Sequence, residues 1–168
     1  ATEKCAMDRP MKTLLIAALF TTLSLPAWAD VQCSGSLKDR SISDNIFVGK
    51  QCTLINVQVD GNVMLADGAK AILRNSHIDG NLESKGRFAQ LVATNNRIEG
   101  NIQLERGKLT QLHNNRVNGN IQLKNNRGTL NISRNQVDGN LECENNATPP
   151  VGGRNTVQGD KTGQCRRL

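Results

Sequence analysis

Val137-Asp138-Gly139-Asn140-Leu141 is one of a series of nearly identical phrases. It reads VDGNV at Val59 to Val63, IDGNL at Ile78 to Leu82, IEGNI at Ile98 to Ile102 and VNGNI at Val117 to Ile121. A worn copy, Val157-Gln158-Gly159-Asp160, closes the series. The glycines fall at 61, 80, 100, 119, 139 and 159, so the steps are 19, 20, 19, 20 and 20. So regular a period signals a repeat architecture.

Aligned on these glycines, the apolar residues form columns. Val59, Ile78, Ile98, Val117, Val137 and Val157 precede them by two; Val63, Leu82, Ile102, Ile121 and Leu141 follow by two. Leu65, Leu104, Leu123 and Cys143 follow by four, with Ser84 as the exception, and Leu54, Leu73, Ala93, Leu112 and Ile132 precede by seven. Alternation after each glycine is the period of a strand with one buried face. Three short strands separated by bends fit the repeat better than a helix pair, because Gly and Asn punctuate every turn. Ile42 to Val48 has the same spacing, with Asp44 at the glycine position. The expected fold is therefore all-β: a single-stranded parallel β-helix of about seven 19–20-residue rungs, which we expect to be right-handed.

Two further expectations concern the bends. The glycines are expected to adopt positive φ, a conformation that Asp44 could also tolerate. Asn62, Asn81, Asn101, Asn120 and Asn140 follow the glycines, while Asn96, Asn115, Asn135 and Asn155 precede them by four. Stacked about 4.8 Å apart, such amides can donate to one rung and accept from the next. Asp-Gly and Asn-Gly are also strong hairpin signals, so an antiparallel meander is the alternative. A meander would not require one residue type in every column.

The N-terminal region reads differently. Lys12 precedes an apolar run over Leu14 to Leu25, and Ala27-Trp28-Ala29 has the small-x-small pattern of a cleavage site. This layout predicts a signal peptide over 11–29, too short and wrongly flanked for a membrane span. Residues 1–10 would be an upstream extension and 30–168 the β-helix domain. The expectation is export, to the periplasm or beyond the cell. The whole chain carries 21 basic and 15 acidic residues. Removing Lys4, Arg9, Lys12, Glu3 and Asp8 with the leader leaves 18 against 13, a net +5. That balance favours anionic polysaccharide or cell-surface components as partners. Only Phe47 and Phe88 remain as aromatics, too few to provide stacking platforms for nucleic acid, and no nucleic-acid partner is expected.

Four cysteines follow the leader. Cys33 and Cys52 are 19 residues apart, and Cys143 and Cys165 are 22 apart, each about one turn. Adjacent rungs lie within the Cα range of a disulfide, whereas pairing across the ends would span roughly 29 Å. The expected bridges are Cys33–Cys52 and Cys143–Cys165, stapling the two ends of the solenoid. Neither Cys-x-x-Cys nor paired His occurs, so no metal site is expected.

Chemistry has to be sought on the outer face. Gln58, His77, Arg97, Arg116 and Gln136 stand three before the glycines; Asp60, Asp79, Glu99, Asn118 and Asp138 stand one before. A basic ladder beside an acidic one reads most simply as cross-rung ion pairs. The weak binding candidates are Asp79, Arg97, Glu99 and Arg116, with the arginines contacting an acidic sugar. His77 and His113 lack any Ser or Cys nucleophile signature, and no repeat carries a phosphate-binding glycine loop. No catalytic residue and no cofactor is implied. Asn131 and Asn146 head sequons, relevant only in a eukaryotic host.

The tail adds a resemblance. Asn140-Leu141-Glu142-Cys143-Glu144-Asn145-Asn146, followed by Pro149-Pro150, Gly152-Gly153, Asn155-Thr156-Val157 and Cys165, resembles the C-terminal cap of small secreted bacterial β-helix proteins. That largely uncharacterised family implies the fold and export, and no catalytic residues. The leading functional expectation is a non-enzymatic surface, matrix or binding solenoid. The alternative is a polysaccharide-binding or lyase-like protein using the charged columns.

Overall fold

The computed structural model describes residues 30–168. The expected extension and signal peptide, 1–10 and 11–29, lie outside the described residues. Every strand pairing within 30–168 is parallel, which sets the meander aside, and each coil stacks on the next. After two long strands, Val31–Ile42 and Ile46–Val59, each coil resolves into three short ones. A long face carries Lys70–Arg74, Gln90–Thr94, Leu109–His113 and Thr129–Ser133. A short face carries pairs such as His77–Ile78 and Arg97–Ile98, and a return face carries Val63–Leu65, Leu82–Ser84 and Ile102–Glu105. About seven turns result.

The sequence columns become stacked columns. Leu54, Leu73, Ala93, Leu112 and Ile132 are in register down the long face. Val63, Leu82, Ile102, Ile121 and Leu141 stack down the return face. Val59, Ile78, Ile98, Val117 and Val137 stack down the short face. All are buried. Each Val, Leu or Ile side chain among them is worth about 1.5–3 kcal/mol of burial. A coil contacts only its neighbours, so stability accumulates coil by coil.

The coils differ in length, and the difference sits in one place. From the long-face core residue to the next return-face core residue the count is constant. It is nine from Leu37 to Ile46, Leu54 to Val63, Leu73 to Leu82, and Ile132 to Leu141. The corner from return face to long face varies instead. It spans two residues from Cys33 to Gly35, four from Val48 to Cys52, six from Leu65 to Ala71 and seven from Leu123 to Leu130. The solenoid therefore tapers toward its N-terminus through this open corner, while the opposite arc keeps its length.

The glycine bends are tight, but not for the expected reason. Gly61, Gly80, Gly100, Gly119, Gly139 and Gly159 do not have positive φ. Close approach excludes a side chain there. A Cβ on Gly100 would lie 2.6 Å from the carbonyl oxygen of Gly80 and would run into the Asn81 side chain beneath it. The same collision recurs at Gly119, Gly139 and Gly159. Among the described residues Asp44 meets no such collision, since the Cβ at this position points toward the preceding coil and Asp44 belongs to the first coil described. Left-handed backbone is found elsewhere, at Asn56, Asn75, Asn95, Asn114, Arg134 and Arg154 before the short face, and at Arg106, Asn125 and Asn145 in the open corner.

Three amide ladders tie the coils together. After each glycine, the side-chain oxygen of one Asn accepts from the backbone N–H of the Asn above: Asn62 from Asn81, Asn81 from Asn101, Asn101 from Asn120, at 2.8 Å. The second ladder, at the entry to the short face, is buried and has the opposite polarity. Asn115 Oδ1 accepts from both the backbone N–H and the side-chain amide of Asn96 below, and its own amide donates to Asn135 Oδ1 and to the Ala93 carbonyl. The third was not anticipated. Asn126 and Asn146 repeat this pattern in the open corner and end on Gln164. Its lower end meets Phe88, whose buried ring takes the space that a side chain on Gly107 would need. Asn146, head of a sequon, is thus buried and bonded to the Leu123 carbonyl.

The two ends are closed unequally. Cys33–Cys52 and Cys143–Cys165 both form, with Cα separations of 5.6 and 5.2 Å. The first spans a bulge, since Cys33 lies opposite Val48 and Cys52 opposite Gly35. At the C-terminus the turn around Cys165 brings Leu168 onto the last coil. At the other end, Val31–Ile42 pairs on one side only among the described residues, and Lys38, Arg40 and the bulge break up that edge.

Candidate functional site

The two outward columns flank the short face, because a buried residue sits between them in every coil. Asp79, Arg97 and Glu99 are brought together around His77. The Nε2 atom of His77 lies 3.0 Å from Glu99 Oε1 and 3.2 Å from Asp79 Oδ1. Arg97 donates to the same Glu99 oxygen, and Asn118 donates to the other. Arg116 is not part of this group. It reaches one coil further, with its guanidinium 3.8 Å from Asp138. The expected cross-rung pairing is present in His77–Glu99 and Arg116–Asp138, where the residue three before one glycine reaches the residue one before the next, whereas Arg97–Glu99 and His77–Asp79 pair within one coil.

The electrostatics follow from this contact set. The hydrogen bond from the Arg97 guanidinium holds the Glu99 carboxyl below the ordinary carboxylate range; desolvation opposes it, and the hydrogen bond from His77 adds a smaller lowering. Glu99 in turn raises Arg97 further above its usual value. A carboxylate so stabilised is a poor base and a poor acid near neutrality. Among the described residues no group of three or more His, Cys, Asp or Glu side chains is placed to hold a metal ion.

Beside this charged ridge runs a groove that the sequence did not announce. Its central part, about 470 Å³, is lined by His77, Arg97, Arg116 and Arg134 over the exposed amides of Asn75, Asn95 and Asn114. Asp79 and Glu99 do not line it. The floor exists because of Asn-Asn doublets such as Asn95-Asn96 and Asn114-Asn115. The first Asn takes the left-handed conformation, which turns the chain, and the second enters the buried ladder. Those doublets were visible in the sequence, and the same reading explains Asn125-Asn126 and Asn145-Asn146 at the open corner.

Compared with known proteins, the chain matches no family model, no curated protein and no solved structure. Among the described residues, no helix is long and apolar enough to cross a membrane.

Proposed function

We propose that the protein is an exported, non-enzymatic β-solenoid whose outer surface serves as a rigid structural or binding element. The observation that carries this reading is the use made of its polar side chains. The buried amides of Asn96, Asn115, Asn126 and Asn135 are each bonded between coils, and the outward carboxylate of Glu99, held below its ordinary range, is tied to Arg97. Such groups build and stiffen a surface rather than move protons. Export is supported by a bridge at each end, since disulfides persist in oxidising compartments. The resemblance to small secreted bacterial β-helix proteins agrees with this placement.

One observation favours a second reading, a lyase-like protein acting on acidic polysaccharide: the gathering of Asp79, Arg97 and Glu99 about His77. Incubation with a panel of acidic polysaccharides separates the two. The expected outcome is no unsaturated product. Product formation that disappears in Arg97→Ala and Arg116→Ala would overturn the non-enzymatic reading.

A further inference from the structure

The groove beside the short face is longer than its central part. At Asn75 and His77 it adjoins a second lobe of about 300 Å³ that contains Arg40. At Arg134 it adjoins a third, about 320 Å³, that contains Arg154. The three lobes share lining residues, so one trough runs along the solenoid axis from the first described coil to the last turns. With coils about 4.8 Å apart, six steps extend it to roughly 29 Å. Its arginines, Arg40, Arg97, Arg116, Arg134 and Arg154, share the lining with His77 and a single carboxylate, Asp39.

Two features of these arginines work against stability. Arg97 is in register with Arg116 above, an arrangement in which like charges repel and which Glu99 and Asp138 offset only in part. Arg134 and Arg154 occupy left-handed backbone at φ +58° and +59°, in the column where earlier coils place Asn75, Asn95 and Asn114. Asn accepts that conformation far more readily than a long side chain does. Within the described residues neither Arg134 nor Arg154 has a carboxylate partner. Arginines kept in left-handed backbone without a carboxylate partner mark a surface shaped for something outside the molecule.

We infer that this trough binds a linear anionic polysaccharide, carboxylated or sulfated, lying parallel to the solenoid axis. The inference rests on the reading of the outer surface as a binding element and names its ligand class. Guanidinium groups recognise carboxylate and sulfate through paired N–H donors. The exposed Asn amides between them supply donors and acceptors for sugar hydroxyls. No Phe, Tyr or Trp side chain lines any lobe, so the trough lacks the large stacking platforms that hold single-stranded nucleic acid.

Affinity gel electrophoresis of the purified protein tests this, with gels containing polygalacturonate, heparin, neutral dextran or oligothymidylate. Retardation is expected with the first two, weakening as salt rises, and not with dextran. Arg134→Asn and Arg154→Asn should each weaken binding on the order of tenfold, while the melting temperature holds or rises because Asn suits the left-handed backbone. Lys124→Gln, on the return face, should bind like the unchanged protein. The inference is overturned if the Arg134→Asn/Arg154→Asn double variant is retarded like the parent, if Lys124→Gln loses as much, or if oligothymidylate binds most tightly. A lower melting temperature in the arginine variants also overturns it, because the side chains would then be holding the fold. Absence of retardation in every gel removes the polysaccharide ligand and leaves the non-enzymatic reading intact. Unsaturated products remove that reading whatever the retardation.

Discussion

Each coil turns at two kinds of corner. At the Gly-Asn bend the spacing never changes, the backbone of one coil touches the next, and an amide oxygen clips each N–H in place. At the open corner the chain spans anything from two to seven residues and still delivers the following strand in register. One corner sets the register of the stack, and the other absorbs differences in length. A repeat protein needs only one rigid joint per coil, provided that joint recurs at a constant distance from the core columns. Taper and loop variation can then gather at the flexible joint without flipping side chains to the wrong face.

The largest test of this contrast exchanges glycines at the two corners. Gly100→Val places a branched side chain against the Gly80 carbonyl and the Asn81 amide, where backbone would have to move. A loss of about 4 kcal/mol is expected, at the upper end of overpacking effects. Gly68 lies in the open corner at φ +73°, with nothing within 4 Å of its would-be Cβ. Gly68→Asn, a residue tolerant of that conformation, should cost less than about 1 kcal/mol. Urea unfolding of both variants checks the pair, and equal losses would mean that the bend is not the rigid joint.

A smaller effect separates two of the ladders. Asn115→Ala leaves the Asn96 N–H and the Ala93 carbonyl buried without their partner, at a cost of about 3 kcal/mol. Asn101 accepts the Asn120 N–H at a half-buried site that water can enter, so Asn101→Ala should cost only about 1 kcal/mol. The comparison breaks if the two melt alike. Neither the burial of a ladder amide nor the number of its hydrogen bonds would then set the cost of losing it.

The contrast also explains what could be read in advance. The fixed arc is written in the sequence because each of its columns, from Leu54 to Ile132 or from Val63 to Leu141, tolerates only apolar residues at one interval. Both disulfides followed from the same interval. The glycines were seen, but their cause was not: composition cannot distinguish a residue chosen for φ from one chosen because a neighbouring coil leaves no room. The open corner was illegible since its length drifts, so Phe88, Asn126 and Gln164 fall out of any alignment made on the glycines. Of the candidate site, the ion-pair partners were legible from strand alternation. The trough was not, because it depends on which Asn of each doublet turns the chain.

The smallest effect concerns charge on the outside of the fixed arc. Glu99 faces Arg97, His77 and Asn118, with Asp79 reaching the same imidazole. Its folded pKa lies below the ordinary value of 4.5, chiefly through the Arg97 hydrogen bond. A depressed carboxyl pKa means that the unfolded chain takes up the proton first. The contribution of Glu99 is therefore complete above pH 4.5 and is lost as pH falls from there through the folded pKa. Thermal melts from about pH 6 to pH 3 should show Glu99→Gln closing its gap with the parent as acid is added. A Glu99→Gln profile that stays parallel to that of the parent would show that the cluster around His77 is loosely held at the surface, and that the rigidity of the fixed arc stops at its backbone.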